Sequence, residues 1–532
     1  MNARPNRKKT RDFAQGEQAA VAREVSSDDG WVPLIDWTHV HPGNRGVNRQ
    51  GRYELYEAPI GVRVRIEVAE KIGPIFRADQ PWDGGGEMVP TRVWKDDKGY
   101  HLLYSSHPRE TKHPGMGGQC YTCYAFSEDG YEWTRPELNQ VEWEGSTANN
   151  IIDHTITGTP FEDPLAPPEE RFKAIGQVGG SFDPDTGERL DSQVAYDRWV
   201  RQEYEGDAYK GPRMTSRHWV EGWSSPDCIH WKSMGELAEM SSDGGSAAQF
   251  DPATQSYFAY LRVAGTGRRA TGLTRTEDFR AWPDADLVLF PDPQDEPDVS
   301  FYGSSYFRYP TNPNLHCALV EIYHQAADCN DAQIAFSNNM THWFRPERRA
   351  IIPNGEPGSD DSGGARPWGG LYTLPDGNWA AMYRGHVGLH NYRESEPHIE
   401  RPPGVLMIAR WRPHRFTGIE ADLEGRMTIT TVKRTSDALR LNYRCKPGGS
   451  IAAELIPTVT SRIHPDADPI PGFSFAESDL LTGDELSGTM TWQGKSDLSQ
   501  IGDTVAIRLK MFQAKLFAFS VGGESMAKEA GR

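Results

Sequence analysis

A seven-residue phrase that returns four times limits what this chain can fold into more than any other feature. It reads Ser127-Glu-Asp129-Gly-Tyr-Glu-Trp133, Ser225-Pro-Asp227-Cys-Ile-His-Trp231, Thr276-Glu-Asp278-Phe-Arg-Ala-Trp282 and Ser337-Asn-Asn339-Met-Thr-His-Trp343. A small hydroxyl residue leads, Asp or Asn follows, and Trp closes the phrase each time. One structural unit is therefore reused, as propeller blades, solenoid turns or arrays reuse theirs.

The chemistry of the phrase selects among these. Ser/Thr and Asp/Asn at such offsets hydrogen-bond their own backbone into a tight turn, and the indole then covers one end of a sheet. Strand-like runs precede the phrases, among them Tyr100-His-Leu-Leu-Tyr104, Cys120-Tyr-Thr-Cys-Tyr-Ala-Phe126 and Tyr257-Phe-Ala-Tyr-Leu-Arg-Val263. Strand, turn and Trp in repetition fit a β-propeller better than a helical solenoid. A carboxylate stands near the expected start of each unit: Glu87, Asp163, Asp243 and Asp298, with Asp361 in a fifth, less regular unit that ends near Trp411. The expected fold is all-β, a five-bladed β-propeller followed by a β-sandwich.

The domain reading is a flexible N-terminal arm over 1–40, ordering only where Trp31, Leu34 and Trp37 meet a surface, then the propeller and catalytic domain over 41–425. Short strands such as Leu439-Arg-Leu-Asn-Tyr443 and Val505-Ala-Ile-Arg-Leu-Lys-Met-Phe512 mark the sandwich over 426–523, with a tail over 524–532. Ser181 to Arg213 interrupts the second unit with a polar stretch, readable as a surface loop or as a rim over a pocket.

A net charge of −18 disfavours nucleic acid, whose phosphates need clustered Lys and Arg. No run approaches the roughly 18 apolar residues that span a bilayer, so neither a membrane nor nucleic acid is an expected partner and a cytoplasmic location is. Cys120-Tyr-Thr-Cys123 has the spacing of a metal pair but lacks a second pair, so it reads as core packing, and no metal is expected at the site. A sandwich packed on a neighbour's propeller would make a homo-oligomer.

In a propeller, one acidic residue per innermost strand gathers distant carboxylates around a shared axis, and like charges brought together acquire unequal proton affinities. Cleavage of a glycosidic bond requires such a pair: an acid for the leaving oxygen and a carboxylate for the anomeric carbon or its attacking water.

The segments Asp79-Gln-Pro-Trp-Asp83, Glu87-Met-Val-Pro, Phe126 to Pro136, Asn149-Asn-Ile-Ile152, Phe161-Glu-Asp-Pro164 and Glu170-Arg-Phe-Lys173 carry a resemblance. They resemble the five-bladed propeller glycoside hydrolases of the invertase, levanase and arabinanase superfamily, in particular its bacterial family-32-like branch, whose chains end in a β-sandwich. The resemblance implies Glu87 as nucleophile or general base, where Asp usually stands, and Asp163 as the residue that stabilises the transition state. For the general acid it leaves two candidates. Glu221 has the usual residue type, and Asp243 has the better blade position.

Trp82 could stack on a sugar face. Arg262, Asp298, Tyr302, Asp361, His386 and His390 complete the substrate-binding candidates. Asp360-Asp361-Ser-Gly-Gly could ligand a structural calcium in the channel, and no cofactor is otherwise required. The expected activity is hydrolysis of a neutral oligosaccharide, releasing terminal furanosyl units. Two alternatives stand beside it: a polysaccharide lyase with His386 or His390 as base, and a non-catalytic carbohydrate-binding propeller.

Overall fold

The computed structural model describes residues 28–47, 51–108, 120–190, 192–208, 210–239, 246–265, 267–391, 401–458 and 468–521. They fall into two compact units, one within Val64–Gly418 and the other within Met1–Arg63 and Ile419–Lys528. Strand dominates both, and no helix among the described residues is long and apolar enough to cross a membrane.

The unit Val64–Gly418 is a series of five meanders among the described residues, the last two joined into one eight-stranded sheet by the parallel pairing of Asn330 with Gly364. The first runs through Glu87–Lys95, Tyr100–His107 and Tyr121–Ser127, and the second through Phe161–Glu162, Phe172–Phe182, Thr215–Ser225 and Lys232–Ala238. Ser246–Asp251, Ser256–Gly265, Arg268–Thr276 and Asp286–Leu289 form the third. Val299–Tyr309, Asn312–His324 and Cys329–Ser337 form the fourth. In the fifth, Gly364–Pro367, Trp379–His386 and Val405–Trp411 are joined by Glu70–Arg77, a strand from ahead of the first meander, so one sheet is built from both ends of the unit.

Each meander touches the next. Phe172 packs on Trp94 at 6.3 Å, Tyr257 Oη donates to Asp163 at 2.8 Å, Thr271 Oγ1 lies 2.8 Å from Ser304 Oγ, and Trp368 Nε1 donates to Glu321 at 3.2 Å. The fifth returns to the first through Tyr100 Oη, which donates to the Thr373 carbonyl at 3.0 Å.

The four phrases fold alike, in the turn after the third strand of the first four meanders. In the second, Asp227 Oδ1 accepts from the Ile229 and His230 amides at 2.9 and 2.8 Å, while Trp231 Nε1 donates to the Cys228 carbonyl at 2.8 Å. Trp133, Trp282 and Trp343 donate to the carbonyls of Gly130, Phe279 and Met340 in the same way, at 3.1, 2.7 and 2.8 Å. The side chains thus satisfy backbone groups that the turn takes out of the ladder.

The insertion in the second meander contains a helix, Ser192–Glu205, anchored by Arg198 Nη1 on Asp183 at 2.7 Å. All six cysteines are free, and Cys123 is fully buried in the core of the first meander.

The second unit holds Asp484–Thr489, Arg440–Ile456, Thr504–Ser520 and Thr417–Lys433 in one sheet. Its described N-terminal part is anchored where Trp31 and Leu34 meet a surface. Val32–Pro33 pairs with Phe519 and Ala518, Val40 and Ile60 bridge to Ile429 and Arg426, and Trp31 and Leu34 are buried while Trp37 is exposed. The backbone amides of Leu34, His41 and Ile60 donate to the carbonyls of Phe517, Thr428 and Arg426, and the compact units divide at 63 and 419, against the 40 and 426 expected from the sequence. Residues 1–27 and the tail 524–532 lie outside the described residues.

Candidate functional site

Glu87 opens the first strand of the first meander, and Arg384 lies near the end of Trp379–His386 in the fifth. Arg384 Nη1 donates to Glu87 Oε2 at 2.7 Å; the arginine side chain is 5% accessible and the glutamate 22%. Burial would raise the pKa of Glu87. Arg384, helped by His386, Arg366 and His107, outweighs it and holds the carboxyl well below the usual carboxylate range. A Glu87 ionised at neutral pH suits a nucleophile or a stabiliser of positive charge, not a proton donor.

His386 sits beside this pair, its imidazole over Gly364, where a Cβ would come within 2.0 Å of the ring. Burial first, then the nearby Arg384, pushes its pKa down to about 3 against the opposing pull of Glu87, so the ring is neutral. His390 is lowered too, by burial and then by Arg366 and Arg384. Its ring lies 6.4 Å from that of His386, 5.1 Å from Tyr302 and 5.1 Å from Tyr323. Asp328 holds the segment: its backbone carbonyl accepts from the His390 amide at 2.7 Å and its carboxylate from the Asn391 amide at 3.0 Å and Tyr323 Oη at 2.7 Å.

Tyr302 is the hub of a cationic wall. The guanidinium carbons of Arg262, Arg269 and Arg366 lie 5.1, 4.6 and 5.6 Å from its ring centre. Arg366 is ion-paired to Glu321, which is fully buried and also accepts from Asn330 Nδ2 at 3.0 Å.

The structure therefore brings Glu87, His386, His390, Tyr302 and Arg262 to one end of the meanders. It adds Arg384, Arg366, Glu321 and Tyr323, which the sequence reading did not select. One signal was available for Glu321, a lone carboxylate inside the apolar run Leu319-Val-Glu-Ile-Tyr323. A charge buried in such a strand needs a dedicated partner.

The remaining candidates lie elsewhere. Asp163 does not join Glu87: it follows Phe161–Glu162 at the far end of the first strands of the meanders, where it is buried against Lys173 Nζ at 2.7 Å and Tyr257 Oη at 2.8 Å. Glu221 stands on the third strand of the second meander and accepts from Ser233 Oγ at 2.6 Å. Trp82 packs inside the first meander, edge-on to Trp143 at 6.1 Å. Asp298 accepts from the Ala326 amide at 2.9 Å and holds a turn. Asp243 lies outside the described residues.

Asp361 accepts from Lys71 Nζ at 2.6 Å and from Tyr383 Oη at 3.0 Å, and Asp360 pairs with Arg77 at 2.8 Å. Two carboxylates already matched by two cations do not make the oxygen cage calcium requires. Among the described residues no group of three or more His, Cys, Asp or Glu is placed to hold a metal ion.

No family model matches the chain, and no curated protein matches it. Among solved structures, it is similar to a glycosyl hydrolase from Bacteroides ovatus at 13% identity, covering 66% of this chain and 95% of that one with a TM-score of 0.39. A sucrose-6-phosphate hydrolase from Lactobacillus gasseri aligns at 10% identity over 85% of this chain and 93% of that one, with a TM-score of 0.38. A Bombyx mori β-fructofuranosidase aligns at 9% identity over 86% and 94%, with a TM-score of 0.37. The site itself holds an ionised carboxylate locked to an arginine, beside two neutral imidazoles and a tyrosine walled by guanidinium groups.

Proposed function

We propose that this chain is a glycoside hydrolase acting on an oligosaccharide, with its five meanders as the blades of a propeller and its C-terminal sheet as a β-sandwich. The observation that carries the reading is the Glu87–Arg384 pair at the start of the first strand, which keeps a partly accessible carboxylate charged in a largely buried setting. In hydrolysis Glu87 attacks the anomeric carbon or steadies its positive charge, and Tyr302 offers a ring face to the sugar. Asp243, three residues ahead of Ser246–Asp251, is the proposed general acid, and terminal furanosyl units are the proposed donor sugar on the resemblance of 79–173. The experiment is a screen of reducing-sugar release over arabino-, fructo-, galacto- and xylo-oligosaccharides with wild type and Glu87→Gln. Release by the wild type that disappears in the variant supports the reading; release that survives Glu87→Gln defeats it.

One observation favours a second reading. His386 and His390 are neutral and flanked by Arg366 and Arg384, the arrangement that a lyase uses to abstract a proton beside a uronate carboxylate. Their proton affinity is low, and a substrate carboxylate set against the arginines would raise it. Ultraviolet-absorbing, unsaturated products from a polyuronate would select the lyase over the hydrolase.

A further inference from the structure

The strand that begins with Glu87 ends in a different environment. At its far end lies a cavity of about 970 Å³, walled by Arg92, Trp94, Glu162, Arg171, Arg308 and Thr373, among others. Nearly every charged group on its walls is matched. Arg171 Nε donates to Glu162 at 2.8 Å, Arg308 Nη2 donates to Asp251 at 3.2 Å, and His101 Nε2 meets Asp96 at 2.9 Å. Asp227 is occupied by its own turn and by His230 Nδ1 at 2.8 Å. Lys95, Asp97 and Lys98 are exposed.

Arg92 is the exception. It is half-buried on the strand Glu87–Lys95, it lines the cavity, and no hydrogen bond or ion pair joins its side chain to any described residue. Burial holds its pKa below the usual arginine value, with Cys228 and then Glu162 pulling the other way. A guanidinium that lines a cavity without a protein counter-charge is free to take an anion from solution. Its planar fork of donors matches the paired oxygens of a phosphate, sulfate or carboxylate.

We propose that this cavity is a binding site for a small oxyanion, free or carried on a sugar, with Arg92 as its principal ligand. The site is separate from the Glu87 cluster and does not rest on the activity proposed there.

The test is calorimetric titration of the full-length protein with inorganic phosphate, sulfate and glucose 6-phosphate, against chloride at matched ionic strength. Saturable single-site binding is expected for at least one of them. Arg92→Gln should weaken it by about tenfold to a hundredfold, the loss of one charged hydrogen-bonding group, and Arg92→Lys by less. Glu162→Gln, a change at an exposed wall residue, removes a carboxylate whose charge acts on Arg92 and releases Arg171 from its pair, and should tighten binding even if the Arg92 variants fail to fold. Equal affinity for phosphate and glucose 6-phosphate would mark a free-anion site, and tighter binding of the sugar phosphate would mark a sugar-borne group. No saturable heat with any of the three, undiminished binding in Arg92→Gln, or unchanged binding in Glu162→Gln would overturn the proposal.

Discussion

Arg384 donates to Glu87 across 2.7 Å although the two residues are almost three hundred positions apart in the chain. The bond ties the last meander to the first and sets the ionisation of the carboxylate. Both consequences are lost together on mutation. Glu87→Gln keeps an acceptor for Arg384 but removes its counter-charge, so kcat on a cleaved oligosaccharide should drop by about two to four orders of magnitude and the melting temperature should fall as well. Steady-state kinetics and a thermal melt on the same preparation check both halves.

His386 makes stability depend on pH in a defined direction. Its folded value is about 3 and the unfolded value about 6.5, so its contribution is complete above the unfolded value and is lost as pH falls toward the folded one. Glu87 acts in the same sense at lower pH: its depressed carboxyl stabilises the fold above its ordinary value of about 4.3 and loses that contribution on further acidification. Between about pH 7 and about pH 4.5, His386→Gln should lose less stability than wild type by about 2 kcal/mol. Urea unfolding at the two pH values measures the difference, and parallel losses would remove His386 as the cause.

Asp163 separates a structural role from a catalytic one. With Lys173 it forms a pair in which the side chains are 0% and 9% accessible, so Asp163→Asn leaves a buried ammonium without its counter-charge. The expected cost is about 3–5 kcal/mol, with kcat of the surviving folded fraction close to wild type. A variant of native stability with no turnover would instead return Asp163 to the reaction.

The repeated turns should respond alike. Asp227→Ala removes two side-chain bonds to backbone amides, as Asn339→Ala does at the equivalent turn, where Oδ1 accepts from Thr341 and His342 at 3.1 and 2.8 Å. Each should cost about 1–2 kcal/mol. Trp231→Phe should cost at least as much, because the Cys228 carbonyl loses its donor inside the core. Denaturant midpoints at unchanged m-value would establish these as equal local losses.

Much of the architecture is legible in the residues. The Ser-x-Asp-x-x-x-Trp phrase is a local device, closed by bonds between residues at most six apart, and its spacing announced four turns whose hydrogen bonds the structure repeats. A carboxylate's place near the start of a repeat does not tell one end of a strand from the other: Glu87 opens its strand and Asp163 follows the end of its own. The closing strand Glu70–Arg77 and the N-terminal pairing of Val32–Pro33 are not legible locally, since each partner lies hundreds of residues away.

The chain by itself thus determined its repeating unit, because short-range side-chain-to-backbone hydrogen bonds depend only on neighbours in sequence. Tertiary structure alone decided which charges meet. Arg384 reaches Glu87, Arg366 reaches Glu321, and Lys173 takes Asp163 out of reach of both. Ionisation follows the nearest opposite charge and the depth of burial, and neither is written in the order of residues until strands from distant parts of the chain lie side by side.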